Sequence, residues 1–230
     1  MKLLWQQIPS SEITTMYCST DFDGIVLDDE HGCFNNETLF TLIQLINAWG
    51  KLSYVRLTEV NKSKIRMLLD AGVQGLIFST IENESQVKEI INNCYYPPKG
   101  KRGQGLVSEN GWGKYPELLQ VGNPTLIAQI ETQKGIKLLP KIKDDFDYFM
   151  LGPYDLTADL GCVAEWDNLE YQNIVSIFKE TIPNHKKAVH IVSNIENEYK
   201  KFKDCEIIAI GMDTTLILDS LNKLKKYVKY

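Results

Sequence analysis

Short apolar runs rich in branched residues alternate with amphipathic stretches along the chain. The runs at 2–5, 24–28, 53–56, 75–78, 126–130, 148–151, 188–192 and 207–210 predict eight strands. Between them a helical period takes over. Leu39, Leu42, Leu45 and Ile46 line one face of a helix predicted over 37–49, with Asn36 placed to cap it, and Ile65, Leu68 and Leu69 do the same over 62–71. A last helix over 216–228 sets Leu218, Leu221 and Leu224 against a run of lysines, read as a solvated face. Eight strand-then-helix units in this length predict an α/β fold, a (β/α)8 TIM barrel, as a single domain over 1–230.

One stretch breaks the rhythm. YYPPKGKRGQGLVSENGW, residues 95–112, is rich in glycine and carries two prolines, and predicts a long loop between the fourth and fifth strands. Its GKRGQG segment has neither the P-loop nor the dinucleotide spacing.

Composition narrows the class. With 230 residues, 43% hydrophobic and 24% charged, the chain can bury a core without staples. The 30 acidic and 25 basic residues leave a charge of -5, which offers a phosphate backbone no broad attraction, so no nucleic-acid partner is expected. No apolar run approaches the roughly 18 to 20 residues that span a bilayer, so no membrane partner is expected either. Gln6 and Gln7 cut off the first apolar run before it could serve as a secretory core. The five cysteines, Cys18, Cys33, Cys94, Cys162 and Cys205, are scattered, odd in number and without a C-x-x-C pair. A reducing cytoplasm is the expected location.

In such a barrel the chemistry projects from the C-terminal ends of strands. Polar residues fall there: Asp28, Asp29, Glu30 and His31 after the second strand, Arg56 on the third, Gln129 and Glu131 on the fifth, Asp155 beyond the sixth. Gln129 and Glu131, two apart, aim at one face. Glu131 and Asp155, from successive strand ends, could hold a hard divalent cation such as Mg2+ or Mn2+ and leave open positions for a keto acid. The competing reading has Glu131 capping the helix TQKGIKLL and Asp155 starting the next turn. His31 lies beside Asp28 and Glu30, either of which could hold its ring as a general base. His185 sits in a polar loop and His190 pads the seventh strand, so zinc held by histidines is not expected. Arg56 reads both as a buried partner of Asp28 or Glu30 and as a fork for a substrate carboxylate or enolate oxygen, and the two are compatible. A Schiff-base route needs a lysine inside the barrel, and the predicted strands offer only Lys2, at the start of the first.

FDGIVLDDEHG, YVRLTEVN followed by MLLDAGVQGLIF, YYPPKGKRGQG, LIAQIET, LGPYDLTADLG and IGMDTT, in that order, resemble the metal-dependent pyruvate aldolases of the HpcH/HpaI aldolase and citrate lyase family. The likeness runs from Trp5 to the last helix. It implies a (β/α)8 barrel, usually a homo-oligomer, a hexamer with helices exchanged between neighbours. The implied reaction is reversible cleavage of a 4-hydroxy-2-oxo acid to pyruvate and an aldehyde, with Mg2+, Mn2+ or Co2+ as cofactor. The likeness places Glu131 and Asp155 on the metal, His31 as base with Asp28, Arg56 on the pyruvate enolate, and Gln129 facing the pyruvate. Asp70 matches a position linked to the active site, where it serves a neighbouring subunit or merely caps a turn. Two other outcomes stay open: an acyl-CoA lyase of the citrate lyase β-subunit type, and a catalytically inactive barrel that binds a keto acid. The chain departs from the family in three places. The helix that commonly precedes the first strand is missing, so the lower end of the barrel is expected to be open or covered by a subunit. Ser79 replaces a frequent proline. Ser108 and Glu109 replace an arginine-containing stretch in a loop expected at the mouth, which disfavours an acidic or phosphorylated aldehyde.

Overall fold

Eight parallel strands close on themselves in chain order, with β1 (Lys2–Gln6) bonded to both β2 (Gly24–Asp28) and β8 (Ile207–Ile210) in a computed structural model. The structure describes residues 1–115, 117 and 123–228. The other strands are β3 (Leu52–Leu57), β4 (Gly75–Phe78), β5 (Thr125–Ile130), β6 (Tyr148–Leu151) and β7 (Lys187–Ile191). Among the described residues the α-helices are α1 (Ser11–Cys18), α2 (Asn36–Ala48), α3 (Lys62–Asp70), α4 (Glu84–Cys94), α5 (Gln133–Ile142), α6 (Pro153–Asp159), α7 (Leu169–Thr181), α8 (Ile195–Phe202) and α9 (Asp213–Leu224). All eight predicted strands are present, each within a residue or so of its expected bounds.

Strand alternation divides the core in two. Leu3, Val26, Tyr54, Ile77, Ile127, Met150, Ala188 and Ile207 fill the barrel, while Ile25, Leu27, Val55, Leu76, Leu126 and Phe149 meet the helical layer. Tyr54 fits because β4 begins with Gly75, where a Cβ would stand 2.2 Å from the tyrosine ring. Met1 packs under this cluster, its sulfur 3.4 Å from the Tyr54 hydroxyl. Leu52 and Tyr148 join Met1 at this end, all three partly buried against the cluster.

Four local expectations change. The cap of α2 is Asn35, whose side chain accepts from the Thr38 N–H at 2.8 Å, and Asn36 is the first helical residue. The lysine tally gains Lys187 at the start of β7, but its Nζ donates to Lys179 O and Asn184 Oδ1, both at 2.8 Å, on the outside of the barrel. The long loop follows α4, which carries the chain to the lower end, so Ser108 and Glu109 lie opposite this chain's mouth. There Arg102 joins Asp70 at 2.9 Å and Glu109, and Ser108 Oγ donates to Gln44 at 3.3 Å. Within one chain Ser108 and Glu109 therefore do not line the aldehyde site. Finally, Leu218, Leu221 and Leu224 on α9 are 54–57% exposed, whereas Leu39, Leu42 and Ile46 on α2 and Ile65, Leu68 and Leu69 on α3 are buried.

Candidate active site

At the mouth, β2 and β3 are bonded so that Asp28 stands opposite Arg56. The guanidinium grips Asp28 twice, Nε to Oδ1 at 2.8 Å and Nη2 to Oδ2 at 2.7 Å, and its Nη1 reaches Glu30 at 2.7 Å. Asp28 also accepts from the Trp5 indole N–H at 3.1 Å and the Gln7 amide at 3.3 Å. Burial works to raise the Asp28 pKa, but Arg56, Trp5 and the His31 backbone N–H outweigh it and hold the carboxyl below its ordinary range. Ser79 Oγ donates to Glu30 at 2.8 Å, so the serine in the place of a proline extends the network by one member.

Across the mouth β5 delivers Gln129 and Glu131, both buried. Glu131 does not cap α5: Thr132 does, its Oγ1 accepting from Gly135 N at 3.1 Å. Glu131 Oε1 instead accepts the Thr80 N–H at 2.8 Å and the Thr80 hydroxyl, and Oε2 accepts the Gln129 amide. Thr80 adopts φ +50, a costly conformation for a β-branched residue, and in it presents both donors to Glu131. Burial first, then the charges of Glu30 and Asp155, raise the Glu131 pKa against the pull of these hydrogen bonds. Asp155 is exposed in the first turn of α6, where its charge reaches Glu131.

Donor chemistry here suits a hard cation. Among the described residues Gln129 Oε1 is buried without a hydrogen-bond partner, an orphaned acceptor next to Glu131, whose carboxylate feels the repelling charge of Asp155. All three are oxygens, the ligand type preferred by Mg2+ and Mn2+. Among the described residues no group of three or more His, Cys, Asp or Glu side chains stands at metal-holding spacing. Gly152 makes the space: a Cβ there would lie 2.6 Å from Glu131 Oε2 and 3.1 Å from Gln129 Nε2. Gly152→Ala is therefore expected to displace Glu131 and cut turnover about tenfold or more, at about 1–3 kcal/mol of stability, read by kinetics and urea unfolding.

The remaining predicted residues are spread out. The His31 side chain is 60% exposed, with Nε2 3.9 Å from Glu30, and only its backbone N–H, at 3.4 Å, faces Asp28. The structure thus brings Glu30 rather than Asp28 near the ring. Asp70 ends α3 at the far side, paired to Arg102, and does not join this chain's mouth. Sequence reading missed Trp5, Thr80 and Gly152, and undervalued His190, which points into the barrel and stacks on Trp5. Inward parity on β1 and β7 was the available signal for Trp5 and His190; the positive φ of Thr80 has no sequence signature.

The chain matches the HpcH/HpaI aldolase/citrate lyase family over residues 2–220. The chain belongs to that family. It is 31% identical over 222 residues to a 4-hydroxy-2-oxo-heptane-1,7-dioate aldolase of Escherichia coli, covering 93% of this chain and 85% of that one. A Klebsiella pneumoniae enzyme of the same name is 30% identical over 222 residues, covering 93% and 84%. In fold, it is similar to a family member from Burkholderia cenocepacia (TM-score 0.87, 19% identity, 100% and 95% covered) and to macrophomate synthase (TM-score 0.83, 21% identity, 100% and 86% covered). Family membership supports a lyase, an aldolase acting on small molecules. No helix among the described residues is long and apolar enough to cross a membrane.

Proposed function

We propose that this family member is a divalent-cation-dependent aldolase that cleaves a 4-hydroxy-2-oxo acid to pyruvate and an aldehyde. The observation that carries the reading is the buried Glu131, held by Thr80 and Gln129, with the orphaned Gln129 oxygen beside it. Glu131 and Asp155 would hold Mg2+, Mn2+ or Co2+. When bound, the ion supplies Lewis acidity to the 2-oxo group of the keto acid.

The chain's own groups do the rest. Arg56 spends three N–H bonds on Asp28 and Glu30, which leaves two of its five donors for the enolate oxygen or the substrate carboxylate. Asp28 acts by fixing the plane of that guanidinium. Gln129 orients the pyruvate half. His31, steered by Glu30, takes the proton of the 4-hydroxyl; the bond between C3 and C4 breaks, its electron pair passes to the 2-oxo oxygen, and C3 is then protonated to the methyl of pyruvate.

Lys64, near the rim, is paired to Asp29 at 2.8 Å and so is not free to receive an anionic aldehyde, which supports an uncharged aldehyde rather than the semialdehyde a heptanedioate would yield. The exposed stripe on α9 supports a homo-oligomer.

The test is exchange of pyruvate methyl protons into deuterated water, followed by NMR. Exchange with one of the three cations, abolished by a chelator, is expected; none with any cation would overturn the proposal. Panels of aldehydes and CoA esters then separate the aldolase from an acyl-CoA lyase.

A further inference from the structure

We propose that His190 is a positioning residue for the Asp28–Arg56 pair, acting through the face of Trp5. The imidazole stacks on the indole with ring centroids 4.0 Å apart and planes 12° from parallel. The same indole gives its N–H to Asp28 at 3.1 Å and lies 5.0 Å from the Arg56 guanidinium carbon. One aromatic plate thus touches all three groups. If the plate tilts, Asp28 loses a donor and Arg56 loses the surface it rests on.

Two features fit His190 to hold that plate. Its Nε2 lies 3.0 Å from the Gly211 carbonyl, which fixes the tautomer with the proton on Nε2 and stops the ring rotating. The residue opposite it on β8 is Ala209, too short to reach the indole, so on this arc of the mouth His190 supplies the side chain that stacks on Trp5. The ring also stays neutral. Burial, with the nearby Arg56 charge adding, pushes its pKa down to about 4 against the Gly211 carbonyl and the Asp28 charge, although the residue keeps partial solvent contact. A neutral ring does not compete with Arg56 for the Asp28 carboxylate, which a lysine or a charged imidazole at this position would do.

The catalytic consequence rests on the aldolase reading, whereas the structural one does not, and two readouts keep them apart. His190→Gln retains an N–H for Gly211 but has no ring; His190→Phe retains the ring but has no N–H. The first readout is hydrogen exchange at the Arg56 Nε–H in the NMR spectrum, assigned by its loss in Arg56→Lys. It is expected to speed up about tenfold in His190→Gln and to stay within about threefold of the wild type in His190→Phe. The second is pyruvate methyl exchange with Mn2+, where kcat is expected to fall about tenfold in His190→Gln with KM little changed, and to recover most of that in His190→Phe. Equal losses in both variants, or an unaltered Arg56 signal in His190→Gln, would overturn the assignment. If the wild type fails to exchange pyruvate, the aldolase reading falls, while the Arg56 signal still decides the role of His190.

Discussion

Glu131→Ala is expected to lower metal-dependent pyruvate exchange by roughly a thousandfold while leaving the barrel folded. On the proposed reading, the activity loss follows from removing Glu131 from the acidic pair that would hold the cation. The stability expectation comes from opposing effects. Deleting the side chain leaves the Gln129 amide and the two Thr80 donors without their acceptor, a loss of about 1–3 kcal/mol for each buried group that water cannot reach. Against this, a carboxylate whose pKa is raised by burial and by Glu30 and Asp155 is one the fold holds at a cost, and its removal relieves that repulsion. A barrel that still unfolds cooperatively at a lowered thermal midpoint, together with lost Mn2+ binding in calorimetry, is therefore the expected pair of results. Glu131→Gln refines the test, because it keeps the shape and an acceptor for Thr80 but not the charge. Full activity in Glu131→Ala would end the metal assignment.

Much of the architecture was legible because a parallel barrel buries both faces of every strand. Its strands then read as unbroken apolar runs such as GLIF (Gly75–Phe78) and IIAI (Ile207–Ile210), which no surface element resembles. The acids at the strand ends were legible for the same reason, since Asp28 and Glu131 interrupt or end such runs. Three-dimensional partnership was not. Nothing local distinguishes Glu30 from Asp28 as the neighbour of the His31 ring; that depends on Arg56 claiming both oxygens of Asp28. The level of the long loop was lost because its glycines announce a loop but not which end of the barrel it joins, and α4 decides that by reversing the chain. His190 looked like padding because one imidazole on an apolar strand usually is. Its role depends on Trp5, 185 positions away by number and 4.0 Å away by centroid.

Arg56→Gln is expected to cost about 3–5 kcal/mol at neutral pH, because it strands a buried carboxylate whose strongest partner is gone. The pH dependence separates this cause from simple loss of packing. In the wild type the Asp28 pKa lies below its ordinary 3.8, so its contribution is complete above that value and is lost as pH falls through the folded pKa. In the variant, burial becomes the dominant influence and raises the Asp28 pKa above the unfolded value. The penalty is then fully present at high pH and is relieved as acid protonates the folded state. The gap in urea stability between wild type and variant must narrow from pH 7.5 towards pH 5; a gap that stays constant would mean that Asp28 remains ionised and that its partner is not Arg56. Arg56→Lys gives the intermediate case. It returns a charge to Asp28 and so most of the stability, but a single ammonium cannot bond Asp28 twice, reach Glu30 and still face the substrate. Stability largely restored with pyruvate exchange still reduced about a hundredfold would show that the fork, and not the charge alone, is what the site uses.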